Sequence, residues 1–232
     1  MDNQKLIIIP AYNQGKLLKK SLDALRNLNT SLLIIDDGST DDTYDIIKDC
    51  TWLKYIKHES CHGYGTSFIT GYEYARDFNF DCILIMDLNN NLFDKEIKSL
   101  MENINYGYDI VSSSRILENF DFQAINKQFI DVTQMLSEQL KAITGFDLTD
   151  PLSGIKAFRM DALKHMELTD NTHGIFLQLW IQANYFSLTI NEIPAQSGNS
   201  FGEELALYDD PLGSLLAIIE TEKYLYSKGN MN

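Results

Sequence analysis

Apolar residues fall in short runs separated by stretches of helical period. Residues 6–9 and 32–35 are Ile-rich runs, each closed by a turn signal: Pro10 after the first, Asp36-Asp37-Gly38 after the second. Such runs predict buried strands of a parallel sheet. Between them, Leu17, Leu18, Ser21, Leu22 and Leu25 share one face of a helix over 15–28. A second helix is predicted near 41–50, where Ser39-Thr40-Asp41-Asp42 supplies side-chain oxygens to cap free backbone N–H groups. The pattern continues with a strand over 54–57, a helix over 65–78 after a Gly-rich turn, and a strand over 82–86 running into Asp87. A helix over 95–105 and a strand over 109–113 follow.

The remainder is less regular. Phe129, Val132, Leu136, Leu140 and Ile143 give 123–143 a helical period that stops at Gly145. Residues 147–154 read as a long turn-rich loop. Helices are predicted near 161–166 and 174–186, a strand over 187–193 closed by Pro194, a polar loop over 195–204 and a last helix over 211–227. The β-α alternation through residue 115 predicts an α/β fold with an open, mostly parallel central sheet and helices on both faces. In such sheets ligands sit at the carboxyl ends of the strands. Tyr12-Asn13, Asp36-Asp37-Gly38, Asp87-Leu88-Asn89 and Ser114-Arg115 all fall at that edge. With no linker or repeat, 1–232 reads as one domain, with a regular part over 1–115 and a less regular part over 116–232.

Composition narrows the function classes. The chain has 232 residues, 44% of them hydrophobic, and a net charge of −14 from 19 basic and 33 acidic residues. Phosphate-backbone contacts need Lys and Arg, so nucleic-acid binding is not expected. Three cysteines (Cys50, Cys61, Cys82), odd in number and widely spaced, suggest neither a zinc site nor a disulfide framework. No transmembrane run and no signal-peptide pattern are found, and a cytoplasmic setting is expected, with peripheral attachment to a membrane left open.

Several segments could carry chemistry. Asp87 and Asn89 stand at i and i+2 on a loop leaving a buried strand, where two oxygens can face one Mg²⁺ or Mn²⁺ ion; an ordinary Asp/Asn turn has the same look. Asp36-Asp37-Gly38 can accept from a ribose or base, or merely cap a helix. Gly63-Tyr64-Gly65 can turn backbone N–H groups toward a phosphate or make a tight turn. Arg115 suits a diphosphate, though surface arginines are common. His58, His62, His165 and His173 lack metal-ligand spacing, and Phe176, Trp180, Tyr185 and Phe186 read as core.

Taken in order, the motifs resemble the family 2 glycosyltransferases of GT-A fold, most closely the dolichol-phosphate mannosyltransferase and polyprenyl-phosphate glycosyltransferase type. The matching pieces are Ile9-Pro10-Ala11-Tyr12-Asn13, Ile34-Ile35-Asp36-Asp37-Gly38-Ser39-Thr40-Asp41, Gly63-Tyr64-Gly65-Thr66 with Gly71, and Ile85-Met86-Asp87. Ser113-Ser114-Arg115, Asp150-Pro151-Leu152-Ser153-Gly154-Ile155-Lys156-Ala157-Phe158-Arg159 and Glu192-Ile193-Pro194 complete the series. The resemblance implies sugar transfer from a UDP- or GDP-linked sugar to an acceptor such as a polyprenyl phosphate, a hexosyltransferase reaction using Mg²⁺ or Mn²⁺. It places Pro10, Tyr12, Gln14, Ile35 and Asp37 around the nucleotide, and Asp87, Leu88, Asn89 and Asn91 at the metal and diphosphate. Arg115 would meet the donor, and Lys156 and Arg159 an anionic group near the acceptor.

The chain also departs from the pattern. Gln14 stands where the family usually has Glu, and Asn89 where it has Asp as second metal carboxylate; the latter change removes a full negative charge from the expected metal site. Where the family's late loop carries Arg and Lys, residues 196–204 read QSGNSFGEE, and no Lys or Arg occurs between His165 and Glu222, against nine Asp and Glu. These departures leave an alternative: a degenerate relative that binds a nucleotide or a protein partner without transferring sugar.

Overall fold

The computed structural model describes residues 4–88, 94–117, 127–195 and 210–227. A seven-stranded sheet runs through them. Its strands are β1 (Lys5–Ala11), β2 (Ser31–Asp36), β3 (Lys54–Lys57), β4 (Cys82–Ile85), β5 (Ile110–Ser114), β6 (Lys156–Arg159) and β7 (Ile190–Pro194). The spatial order is β3-β2-β1-β4-β6-β5-β7. The chain winds outward from β1 through β2 to β3 and then crosses to β4 on the other side. The crevice between β1 and β4 is therefore the topological switch point.

Pairings β1–β2, β2–β3, β1–β4 and β5–β7 are parallel; β6 alone runs the other way, antiparallel to β4 and to β5. The mostly parallel sheet read from the sequence is therefore present, but β6 lies between the loop expected over 147–154 and the helix expected from 161, where the pattern predicts no element. Because it is reversed, its amino end shares an edge with the carboxyl ends of the other six.

Among the described residues eight helices pack on the two faces: α1 (Gly15–Asn27), α2 (Thr43–Ile47), α3 (Tyr64–Asp77), α4 (Asp94–Asn105), α5 (Lys127–Thr144), α6 (Met160–Leu163), α7 (Ile175–Tyr185) and α8 (Pro211–Ser227). The period-2 alternation of the strands divides the apolar residues into two cores. Leu6 and Ile8 of β1 join Phe68, Phe129, Phe158, Phe176 and Trp180 on one face, while Ile7 and Ile9 join Leu18, Leu25, Ile97 and Leu100 on the other. Of the four aromatics expected in the core, Phe176 and Trp180 are at 0% exposure, whereas Tyr185 is 42% exposed and Phe186 is half-buried.

Helix α2 is shorter than its sequence pattern. Its cap is shared: Asp41 accepts from Thr43 N at 2.9 Å and from Gly15 N at 3.0 Å, so one carboxylate serves the first turns of α2 and α1. Helix α3 approaches β1 closely at Gly71, where an added Cβ would lie 2.6 Å from Ile8 Cγ2 and 2.9 Å from its Cδ1. Gly71→Val is expected to overpack this contact and destabilise the fold by about 1–3 kcal/mol, read from urea unfolding as a lower midpoint with an unchanged slope.

Candidate active site

The carboxyl edge of the sheet gathers the chemistry. On the β1–β2 side, the loops are tied to each other before any ligand is considered. Asn13 has left-handed backbone (φ 53) and its side-chain oxygen accepts from Thr40 N at 2.8 Å and Asp41 N at 3.2 Å. Gln14 N donates to Thr43 Oγ1 at 2.8 Å. Two acceptor atoms here, Asp36 Oδ2 and Gln14 Oε1, are buried with no hydrogen-bond partner among the described residues. Unpaired buried acceptors are costly, so each calls for a donor from beyond the described residues.

Asp37 is 4% exposed and its carboxylate is already engaged. It accepts from His58 Nδ1 at 2.7 Å, Gly63 N at 2.8 Å, His62 N at 3.0 Å and Cys61 Sγ at 3.3 Å. Burial pushes this carboxyl up, but those donors together hold it below the usual carboxylate range. A carboxylate only accepts, so His58 carries its proton on Nδ1, and its Nε2 lies 3.1 Å from Thr70 Oγ1. Asp37 thus builds the loop over 58–63 instead of offering an open oxygen to a base or ribose. The same bonds settle the glycine-rich turn. Gly63 N is used by Asp37 and Gly65 N donates to Asn171 O at 3.0 Å, and a Cβ at either glycine would strike the backbone of residues 170–171. It is a packing turn, not a phosphate cradle.

On the other side of the switch point, Asp87 follows β4 and is half-buried. The β4–β6 register pairs Ile85 with Lys156, and continued by two residues it sets Asp87 opposite Gly154. The carboxylate lies directly on Gly154: an added Cβ would be 2.5 Å from Asp87 Cγ and 2.8 Å from Oδ1. Asn89 and Asn91 lie outside the described residues, as does the late loop over 196–204. Among the described residues no three His, Cys, Asp or Glu side chains gather into a metal cage. One cradled carboxylate suits an ion that takes its remaining ligands from a substrate diphosphate.

Arg115, Asp150, Lys156 and Glu192 form a buried charge cluster beneath this edge. Arg115 is 6% exposed; its Nε and Nη2 fork the Asp150 carboxylate at 2.7 and 3.0 Å, and its backbone N adds a third bond at 3.0 Å. The guanidinium also lies over Phe129, 4.6 Å from the ring centroid. Burial raises the Asp150 carboxyl, but the adjacent guanidinium more than offsets it and holds the group below the usual range. Glu192 accepts from Thr149 N at 2.7 Å and Asp150 N at 3.1 Å, and burial raises its carboxyl.

Three expectations are corrected. Lys156 is 0% exposed, its Nζ donating to Ser153 O and packed on Phe176 and Trp180, so it faces no open anion site. Burial brings its ammonium down to about 7 despite the opposing charge of Asp150. Arg159 ends β6 opposite Cys82, the first residue of β4, which puts it at the far edge of the sheet, about 10 Å of strand from Lys156. Ile35 and Leu88 are core side chains at 0% and 3% exposure, and they can meet a ligand only through backbone. Pro10 is buried at the end of β1, while Tyr12, 47% exposed, stands open at the crevice. Gly154 and Tyr64 lie in motifs matched to the family and His58 among the histidines considered, but sequence reasoning gave none of them a role, since their partners are distant in the chain.

Comparison with known proteins gives a consistent picture. The family model described as Glycosyl transferase family 2 matches residues 6–166. A UDP-N-acetylglucosamine–dolichyl-phosphate N-acetylglucosaminyltransferase of Methanococcus voltae is 28% identical over 211 residues, covering 82% of this chain and 84% of that protein. A dolichol-phosphate mannosyltransferase of Pyrococcus furiosus is 27% identical over 206 residues, covering 83% of this chain but 56% of its own length. Among solved structures, glucosyl-3-phosphoglycerate synthase from Mycobacterium tuberculosis, in complex with Mn²⁺, UDP and glucosyl-3-phosphoglycerate, superposes with a TM-score of 0.71 at 17% identity, over 96% of this chain and 81% of that one. Mannosyl-3-phosphoglycerate synthase from Rubrobacter xylanophilus gives 0.70 at 13% identity, over 99% and 76%.

Asp150→Asn leaves the Arg115 charge buried without its counter-ion and is expected to cost about 3–5 kcal/mol in urea unfolding at neutral pH. Because the Asp150 carboxyl is lowered in the folded state, its stabilisation is present above about pH 4 and is lost as pH falls through the folded value. The acid limb of the stability profile is therefore expected to be shallower in Asp150→Asn. Lys156 has the opposite signature: its folded value near 7 lies below the unfolded 10.5, so the native state binds fewer protons between the two and gains stability as pH rises through that window. In Lys156→Met the rise from pH 7 to 10 is expected to flatten, checked by chemical unfolding across that range.

Proposed function

The chain belongs to glycosyl transferase family 2 and has the GT-A fold, and from that premise we propose that it moves a sugar from a UDP- or GDP-linked donor to a polyprenyl-type lipid phosphate. The observation that carries this reading is the Asp87 carboxylate, cradled by Gly154 at the carboxyl edge of β4 beside the switch point. Relatives named for dolichyl and dolichol phosphate support the acceptor class, and a structural neighbour solved with UDP and Mn²⁺ supports the donor class and the ion.

Asp87 would hold Mg²⁺ or Mn²⁺ together with donor diphosphate oxygens, with Asn89 and Asn91 as further oxygen ligands. When bound, the ion neutralises charge building on the departing diphosphate. The chain's own residues do the positioning. Asp36 Oδ2 and Gln14 Oε1 await donors on the base or ribose. Asp37 holds the wall over 58–63, and Tyr12 stands open at the crevice mouth. The Asp150–Arg115 fork fixes the end of β5. A lipid phosphate is already ionised near pH 7, so the acceptor needs no protein base. No helix among the described residues is long and apolar enough to cross a membrane. Such an acceptor would then be met peripherally, at the bilayer surface.

The test is transfer of labelled sugar from UDP-N-acetylglucosamine and GDP-mannose to a short-chain polyprenyl phosphate with Mn²⁺. Turnover is expected with one of the donors, abolished by EDTA and reduced on the order of a hundredfold or more in Asp87→Ala. A folded wild-type protein that transfers from neither donor would overturn the proposal, and nucleotide binding without turnover would identify the degenerate relative instead.

A further inference from the structure

We infer that the Ser153–Gly154 turn is a positioning clamp for Asp87, anchored by Lys156 from the core and by Tyr64 from α3. This rests on the metal-dependent reading of Asp87 given above and assigns the residues that aim the carboxylate.

The geometry begins with the reversed strand. Since β6 enters the sheet at the ligand edge, the turn preceding it lies against the residue that follows β4. Gly154 is needed there for space: its backbone has no special φ, but the plane of the Asp87 carboxylate occupies the position of any side chain. A carboxylate pressed against a backbone surface loses rotamer freedom, and its direction is then set by where that surface stands.

Both carbonyls of the turn are fixed by buried or half-buried donors. Lys156 Nζ donates to Ser153 O, and Tyr64 Oη donates to Gly154 O at 3.2 Å. The two donors share one support. Phe176 lies 3.8 Å beneath Lys156 Nζ and packs edge-on against Tyr64 at 5.7 Å between centroids, while His173 stacks on the other side of the Tyr64 ring at 4.0 Å. Ser153 N bonds back to Asp150 O at 3.2 Å, which links the turn to the Arg115 fork. A lysine with no solvent exposure is an expensive way to satisfy one carbonyl, since a carbonyl can be met by any neutral donor. Its compactness and its direction toward the turn account for its place. In this role Lys156 is a positioning residue that touches no substrate, which agrees with its burial.

The experiment titrates the intact protein with UDP and with GDP, each with Mn²⁺ and with EDTA, and follows Mn²⁺ directly by electron paramagnetic resonance. Wild type is expected to bind one nucleotide in a Mn²⁺-dependent way. Gly154→Ala is expected to weaken Mn²⁺ binding by about tenfold or more while the affinity for the nucleotide in EDTA stays the same. Tyr64→Phe, which deletes one hydroxyl and keeps the stack on His173, covers the case in which Gly154→Ala does not fold; it should weaken Mn²⁺ in the same direction, about threefold to tenfold. Lys156→Met should also lose Mn²⁺ affinity while its resistance to unfolding at pH 7 rises, an opposition that a purely structural role does not produce. Metal-dependent binding in wild type that persists unchanged in Gly154→Ala, or in folded Tyr64→Phe, overturns the clamp and leaves the proposed function standing. No metal-dependent binding of either nucleotide by wild type overturns both.

Discussion

The Asp150 carboxylate is the constraint on which the β4–β7 side of the site depends. It is fully buried, and a buried charge persists only where hydrogen bonds and an opposite charge replace the lost water. Arg115 provides three such bonds, two from the guanidinium and one from its own backbone, so the pair locks the end of β5 to the start of the 150–155 segment. Glu192 on β7 grips the same segment from the next strand through Thr149 and Asp150. With residue 150 pinned at the carboxyl edge, the chain has to enter the sheet from that edge. The reversal of β6 follows, and the reversal is what sets Gly154 against Asp87.

The β1–β3 side is organised differently. There the strand ends are joined by short-range exchanges between loops: Asn13 with residues 40–41, Asp41 with the starts of α1 and α2, Asp37 with residues 58–63. No ion pair comparable to Asp150–Arg115 is found in that half among the described residues. Backbone amides do the work instead, and a carboxylate that collects several of them is stabilised without a counter-ion. Asp36 Oδ2 and Gln14 Oε1, at the strand ends of this side, are left without a partner among the described residues.

Much of this was legible in the sequence. Strands 1 to 5, the helices between them and the polar strand ends follow from apolar runs and turn signals, because those elements bury enough of one face to leave a periodic trace. Strand β6 left none. Lys-Ala-Phe-Arg is four residues long, follows a turn-rich stretch and carries a lysine where a core strand would show an apolar residue. With no element read over 156–159, the resemblance alone set Lys156 and Arg159 together near an anionic group, whereas an extended strand carries them to opposite edges of the sheet. The roles of Asp37 and Gly63 were ambiguous for another reason: capping, loop building and ligand binding all use carboxylates and free amides, and only their partners tell these apart. Gly154 shows the limit of pattern, since the demand for glycine there comes from a residue 67 positions away in the chain.

The double duty of Asp41 has a kinetic consequence. One carboxylate caps α1 and α2 together, and the neighbouring Asn13 bonds close the loops between them, so this wall of the crevice takes its shape during folding. The ordering entropy of those loops is lost at that stage and not when a ligand arrives. On the proposed function, capture of a nucleotide moiety would need no loop closure on this side, and its association should approach the rate of encounter between rigid bodies. Selectivity among nucleotides would be expressed as differences in dwell time.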